Sequence, residues 1–135
     1  MAVELEYLVW TALLTLFIRM TWMFDKVRMR GLAKVTRYPD DSEPLSGWGA
    51  RAWIAHEDAI QNLVIFAVLV IALQLAGHGN AITHAAAAIY FWARLCHFVV
   101  YVFAVPRIKT IAFLVAVGAQ LVLAWQFILA SAAPA

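Results

Sequence analysis

The chain has 135 residues, 65% of them hydrophobic and 13% charged, with a formal net charge of +2 and a mean hydropathy of +0.82. Soluble domains run near about 50% apolar and about 25% charged, and a globule this small leaves most of its side chains on the surface, so lipid is the expected solvent and no second domain fits. The small net charge gives no reason to expect a nucleic-acid partner, and a single cysteine, Cys96, excludes an intrachain disulfide and a cysteine-based metal cluster.

Four apolar runs, 5–24, 50–76, 81–105 and 108–130, follow one another along the chain. Each is long enough, at about 1.5 Å per residue, to cross a hydrocarbon layer of roughly 30 Å as a helix. None alternates as a barrel strand would. The first run has Glu4 and Glu6 where a signal peptide would be basic, and no small-residue cleavage pattern follows it, so it reads as a permanent helix. The expected fold is a single all-α domain, 1–135, built as a four-transmembrane-helix bundle.

The connections differ in charge. The long one, 25–49, holds Lys26, Arg28, Arg30, Lys34 and Arg37 and then a turn-rich stretch, 38–44. The second, 77–80, has no Lys or Arg, whereas the third carries Arg107 and Lys109 beside Pro106. Basic residues accumulate on the cytoplasmic side of a membrane, which places the first and third connections inside and both termini outside.

Charged residues within the spans are costly in lipid and face the bundle interior. At about 100° per residue, Tyr90, Arg94, His97 and Tyr101 share one stripe of the third span, and Arg51, Asp58, Gln61 and Asn62 share one on the second. Glu57 lies at the edge of that stripe and His56 on the opposite side. Counted from the cytoplasmic ends, Asp58 and Gln61 lie about 12–17 Å deep and Arg94 about 16 Å. The two stripes can therefore meet in an Arg94–Asp58 pair helped by Gln61. Such a pair reads either as polar glue between helices or as the floor of a cavity open to the cytoplasmic half. Cys96 is expected to be a buried, inert thiol. Arg19 is expected to snorkel, and Trp10, Trp48, Trp53 and Trp125 to anchor the bundle at the membrane interfaces.

The second span, from Arg51-Ala52-Trp53-Ile54-Ala55-His56-Glu57-Asp58 through Gln61-Asn62 to Phe66, resembles the second-helix signature of the MAPEG family, the membrane-associated proteins of eicosanoid and glutathione metabolism. In the third span, Ala93-Arg94, His97 and Tyr101 are similar to the family's Ala-Arg-x-x-His-x-x-x-Tyr. The segment from Val105-Pro106 to Phe113 resembles its entry to the fourth helix.

The resemblance implies a bacterial-type inner-membrane protein and a homotrimer of four-helix subunits. It also implies a glutathione-dependent transferase or peroxidase acting on lipophilic electrophiles. Arg28, Arg51, Asp58, Gln61, Arg94, His97 and Tyr101 stand at the positions that would bind the tripeptide, and Lys109 at the position that would stabilise its thiolate; no metal is implied. Several positions depart from the family pattern. Ile54 replaces an arginine, Glu57 stands where some members are basic, Asp58 and Gln61 replace Asn and Glu, Lys109 replaces an arginine, and Phe113 replaces a tyrosine. With those changes glutathione is expected to bind weakly. They also support an alternative reading, a non-catalytic accessory or assembly subunit of a larger membrane complex.

Overall fold

A computed structural model of the chain describes residues 2–36 and 46–132, apart from the side chain of Lys34. Arg37 and the turn-rich stretch 38–44 lie outside the described residues. The described elements are α1 (Val3–Arg30), a short α2 (Leu32–Val35), α3 (Gly47–Ala76), α4 (Ala81–Val102) and α5 (Ile108–Ala132). The four long helices are each long and apolar enough to cross a membrane, and they coincide with the four expected spans.

Their ends differ from the apolar boundaries for local reasons. α1 runs beyond residue 24 because its last turn carries Arg28 and Arg30, cations that suit the negative end of a helix dipole. It stops at Gly31, whose φ of 82° a residue with a Cβ rarely adopts. α3 starts earlier than residue 50 because the Ser46 hydroxyl accepts from the Gly49 N–H and caps it. At its other end Gly77 takes a left-handed φ of 71°. The N–H groups of Gly77 and His78 turn back onto the carbonyls of Gln74 and Leu73. Asn80 and Thr83 close a reciprocal capping box at the start of α4. α4 ends at Val102, short of the expected 105, since a proline at 106 disfavours helical backbone in the residue before it. The chain then reverses through positive φ at Ala104 (56°) and Arg107 (69°).

α1 packs along α3 and α4 along α5, with further contacts joining α1 to α4 and α3 to both α4 and α5. Alanines dominate the buried faces, among them Ala52, Ala55, Ala59, Ala86, Ala87, Ala116 and Ala119, and their small side chains let helix backbones approach closely. Two apolar clusters result. One gathers Phe66, Val70, Leu73, Tyr90 and Leu123 near the α3–α4 turn, with the Phe66 and Tyr90 rings stacked 4.0 Å apart. The other gathers Ile18, Ala52, Ala55, Ala59 and Phe98 toward the opposite end. The large aliphatic and aromatic side chains lie mostly outside: Leu16, Val64, Val68, Trp92, Leu114 and Leu121 are all exposed. That inversion suits a bundle solvated by lipid.

Two carboxylates of α1 are fully buried. At one end Glu4 accepts from the Thr83 hydroxyl and from the Gln74 amide at 3.1 Å, with His84 Nε2 3.3 Å away. At the other end Asp25 accepts from the Ser46 N–H at 3.0 Å, the Ser46 hydroxyl at 2.7 Å and Arg28 at 2.7 Å. These contacts clasp α1 to both ends of α3 and to the start of α4. Gly49 belongs to the second clasp, because a Cβ there would lie 1.9 Å from Asp25 Oδ2. Gly49→Ala should therefore destabilise the purified protein by about 1–3 kcal/mol, as overpacked sites do, measured by thermal unfolding in detergent. Gly118→Ala, where an added Cβ meets nothing within 4 Å, should cause no loss. An unchanged melting temperature for Gly49→Ala would mean that Asp25 does not hold α1 against α3.

Candidate functional site

Between the two apolar clusters lies a polar layer centred on Asp58. Arg94 Nη2 donates to Asp58 Oδ2 at 3.0 Å. The arginine side chain is 4% exposed and that of the aspartate 30%. His97 Nε2 stands 3.8 Å from the same oxygen. The Asn62 amide donates to Asp58 Oδ1 at 3.2 Å and to its backbone carbonyl at 2.9 Å. From α5, the Gln120 amide donates to the Asn62 carbonyl at 3.0 Å. Three helices thus meet through one carboxylate and its neighbours.

The expected Arg94–Asp58 pair is present, but Gln61 takes no part in it and lies exposed. Three residues beyond Asp58 a helix has turned to about 60° on one side, and four residues beyond to about 40° on the other. The first position faces outward here and the second faces α5, so Asn62 does what was expected of Gln61.

Two neighbouring cavities open beside this layer. The first, about 260 Å³, is lined by Ile54, Asp58, His97, Tyr101, Lys109, Thr110 and Phe113. The second, about 240 Å³, is lined by Arg51, Tyr101, Lys109, Arg107 and the turn residues Ala104, Val105 and Pro106. Tyr101 and Lys109 border both. Lys109 Nζ sits 5.1 Å from the centre of the Tyr101 ring, a cation–π distance, and that ring lies 5.5 Å from the His97 imidazole. Arg51 reaches the second cavity while its Nε donates to the Val102 carbonyl at 2.9 Å, satisfying a carbonyl at the C-terminus of α4. Ile54 and Phe113, which stand where arginine and tyrosine were expected, give the first cavity an apolar wall.

Buried polar atoms in native proteins nearly always have a partner in protein, water or ligand. Tyr90 Oη, Arg94 Nη1 and His97 Nδ1 have no hydrogen-bond partner among the described residues. All three belong to the α4 stripe, and His97 lines the first cavity. The stripe therefore retains donors and acceptors for water or a bound molecule.

Arg28, Glu57 and Cys96 stand apart from these two cavities of the chain, and for Cys96 the expected burial is corrected. Arg28 lines neither cavity. It is held by Asp25 at 2.7 Å and lies 5.8 Å from the Trp48 ring, so its charge serves the α1–α3 clasp. Glu57 is exposed and lines neither cavity, so within this chain it does not burden the site. Cys96 is exposed, on the outward face of α4. Gln120 and Arg107 are site residues that the sequence reading did not select. Gln120 is the lone polar side chain in the middle of α5, and Arg107 lies two residues before Lys109, so a signal was present for each.

These features define an integral membrane four-helix bundle with a polar layer and a basic cavity at one end. The model of the MAPEG family matches residues 7–129, nearly the whole chain, and the protein belongs to that family. No curated protein matches the chain.

The polar layer can be tested by a double-mutant cycle with Arg94→Gln and Asp58→Asn. Arg94→Gln alone leaves a partly buried carboxylate without its cation and should cost about 1–3 kcal/mol. The double variant should cost less than the two single changes added together, with a coupling of at least about 0.5 kcal/mol. Additive losses in thermal unfolding would show that the pair contributes nothing to stability.

Proposed function

We propose that the protein is a glutathione-dependent transferase acting on lipophilic electrophiles, assembled as a homotrimer. The observation that carries this reading is the joining of a cavity bordered by three cations, Arg51, Arg107 and Lys109, to one with an apolar wall. Glutathione carries two carboxylates, one ammonium and a thiol, so a basic pocket beside an apolar one suits it and an oily co-substrate together.

Arg51 and Arg107 would hold carboxylates, Arg51 through the guanidinium nitrogens that do not serve Val102. Bound there, glutathione would supply a thiol nucleophile. Lys109, stationed over Tyr101 at the border of the two cavities, would favour the thiolate by charge. Ile54 and Phe113 would receive the lipophilic partner. Asp58 adds less repulsion than its formal charge suggests, because Arg94 neutralises it at 3.0 Å. Binding remains weaker than a full arginine set would give, since each missing charge-assisted hydrogen bond is worth about 1.5–3 kcal/mol, and lysine lacks the planar fork of arginine.

A second reading, an accessory subunit of a larger membrane complex, is favoured by one observation. Arg94 and Arg51 both make bonds that hold helices together, to Asp58 and to the Val102 carbonyl. Titration calorimetry with glutathione separates the two. The enzyme reading expects weak binding, strengthened about tenfold or more by Ile54→Arg and reduced by Lys109→Met. It also expects a thiolate absorbance that Lys109→Met abolishes and Lys109→Arg keeps. No binding to the unchanged protein or to Ile54→Arg would remove the enzyme reading and leave the accessory one.

Orientation follows the distribution of Lys and Arg. In a Cys96→Ser background, a cysteine at His78 should be labelled from outside the cell by an impermeant maleimide and one at Ala33 should not. The reverse pattern would place the cavities on the outer side.

A further inference from the structure

At the end of the bundle away from Lys109, a cavity of about 540 Å³ opens on the outer surface between α1 and α4, lined by Val3, Glu6, Tyr7, Trp10, Phe91 and Trp92. We propose that this groove binds a membrane lipid with an ammonium headgroup, of the phosphatidylethanolamine class, holding the ammonium at Glu6 and the acyl chains along Trp10 and Trp92.

Two acids of α1 carry the argument by contrast. Glu4 and Glu6 are two residues apart, about 200° around a helix, so one faces the bundle and the other faces away. Glu4 is buried and receives donors from Thr83 and Gln74. Glu6 is exposed and has no ion pair or hydrogen bond among the described residues. Its surroundings in the groove are aromatic, and its exposed carboxylate is open to a cation arriving from the membrane surface. Aromatic ring faces attract cations, quaternary and alkyl ammonium groups above all.

The rings are held in place by one another. Tyr7 and Phe91 lie 5.9 Å apart across the two helices, and Phe91 meets Trp92 edge to face at 5.2 Å. Trp10, one turn further along α1 than Glu6, and Trp92 are each more than half exposed. The groove is therefore anionic near the start of α1 and apolar below, which is the polarity of a lipid entering from that face. Anchoring at a membrane interface accounts for single tryptophans. The first-turn position of Glu6 suits the helix dipole, and the groove sets that carboxylate among four rings, Tyr7, Trp10, Phe91 and Trp92.

The test uses the full chain in nanodiscs containing equal amounts of phosphatidylethanolamine and phosphatidylglycerol with identical acyl chains, and native mass spectrometry to count the lipids retained. Phosphatidylethanolamine should be retained over phosphatidylglycerol by about fivefold or more. Glu6→Gln should abolish the preference and Trp10→Leu should weaken it, with helical content and melting temperature unchanged. A measurement on the unmodified protein guards against a variant that does not fold: N-acetylated phosphatidylethanolamine, which lacks the ammonium charge, should lose the advantage. Equal retention of the two lipids, or an undiminished advantage after N-acetylation, would overturn the proposal. So would cysteine crosslinks at Trp92 between copies of the chain, which would show the groove to be filled by a second copy.

Discussion

The contact on which the rest of the bundle depends is the one between Asp58 and Arg94. A lone guanidinium at that depth in lipid would be costly, so α4 can settle only where a carboxylate meets it. The only carboxylates of α3 are Glu57 and Asp58, adjacent in sequence, and helical geometry turns only the second toward α4. Pairing therefore sets the register of α3 against α4. The register in turn brings Arg51 beneath the last carbonyl of α4 and Tyr101 beside Lys109. Buried ion pairs contribute little net stability over an apolar replacement, and their better-attested use is to specify register. This arrangement fits that use, because the alanine-lined faces above and below the pair would tolerate sliding while the charges would not.

The large features of the fold were legible from hydropathy alone, since four apolar runs in lipid leave few alternatives to four helices. The Arg94–Asp58 pair was also legible, because stripe and depth are both properties of a single helix. What could not be read was which side of a helix faces lipid and which faces a neighbour. In water, polarity marks the outer face. Here the outer faces of α3, α4 and α5 are as apolar as the core, so Cys96 looked buried and Gln61 looked inward. The true inner marker is small size: Ala52, Ala55, Ala59, Ala86, Ala87, Ala116 and Ala119 trace the contact faces more faithfully than any hydrophobic scale. Helix ends were missed by up to six residues, because Arg28 and Arg30 carry the last turn of α1 beyond its apolar run and Ser46 caps α3 ahead of its own.

Burial of acids in α1 follows the same reasoning as the central pair. Glu4 and Asp25 lie at opposite ends of the helix, and each is satisfied by donors from other elements. Apart from Arg28, three residues beyond Asp25 on the same helix, their partners could not have been assigned from the sequence, since they are a threonine hydroxyl, a glutamine amide and a serine cap. In lipid a few such bonds count for much, because apolar contacts with the neighbouring helix are little better than contacts with acyl chains. A membrane bundle is thus held in place by its scarce polar groups and given its shape by its small ones.

The same economy bears on the functional site. Arg94 cannot both neutralise Asp58 and give its full charge to a ligand, and Arg51 shares its guanidinium with the end of α4. The cations not engaged in this way are Lys109 and Arg107, both exposed where the two cavities open, while Ile54 and Phe113 line the wall of the first. A rim cation attracts an anion and steers its approach, but in high dielectric it binds less firmly than a desolvated one. The apolar wall beside it is what the proposed function assigns to a lipophilic co-substrate. On the function proposed above, such a site would trade hold on the charged thiol compound for room beside it.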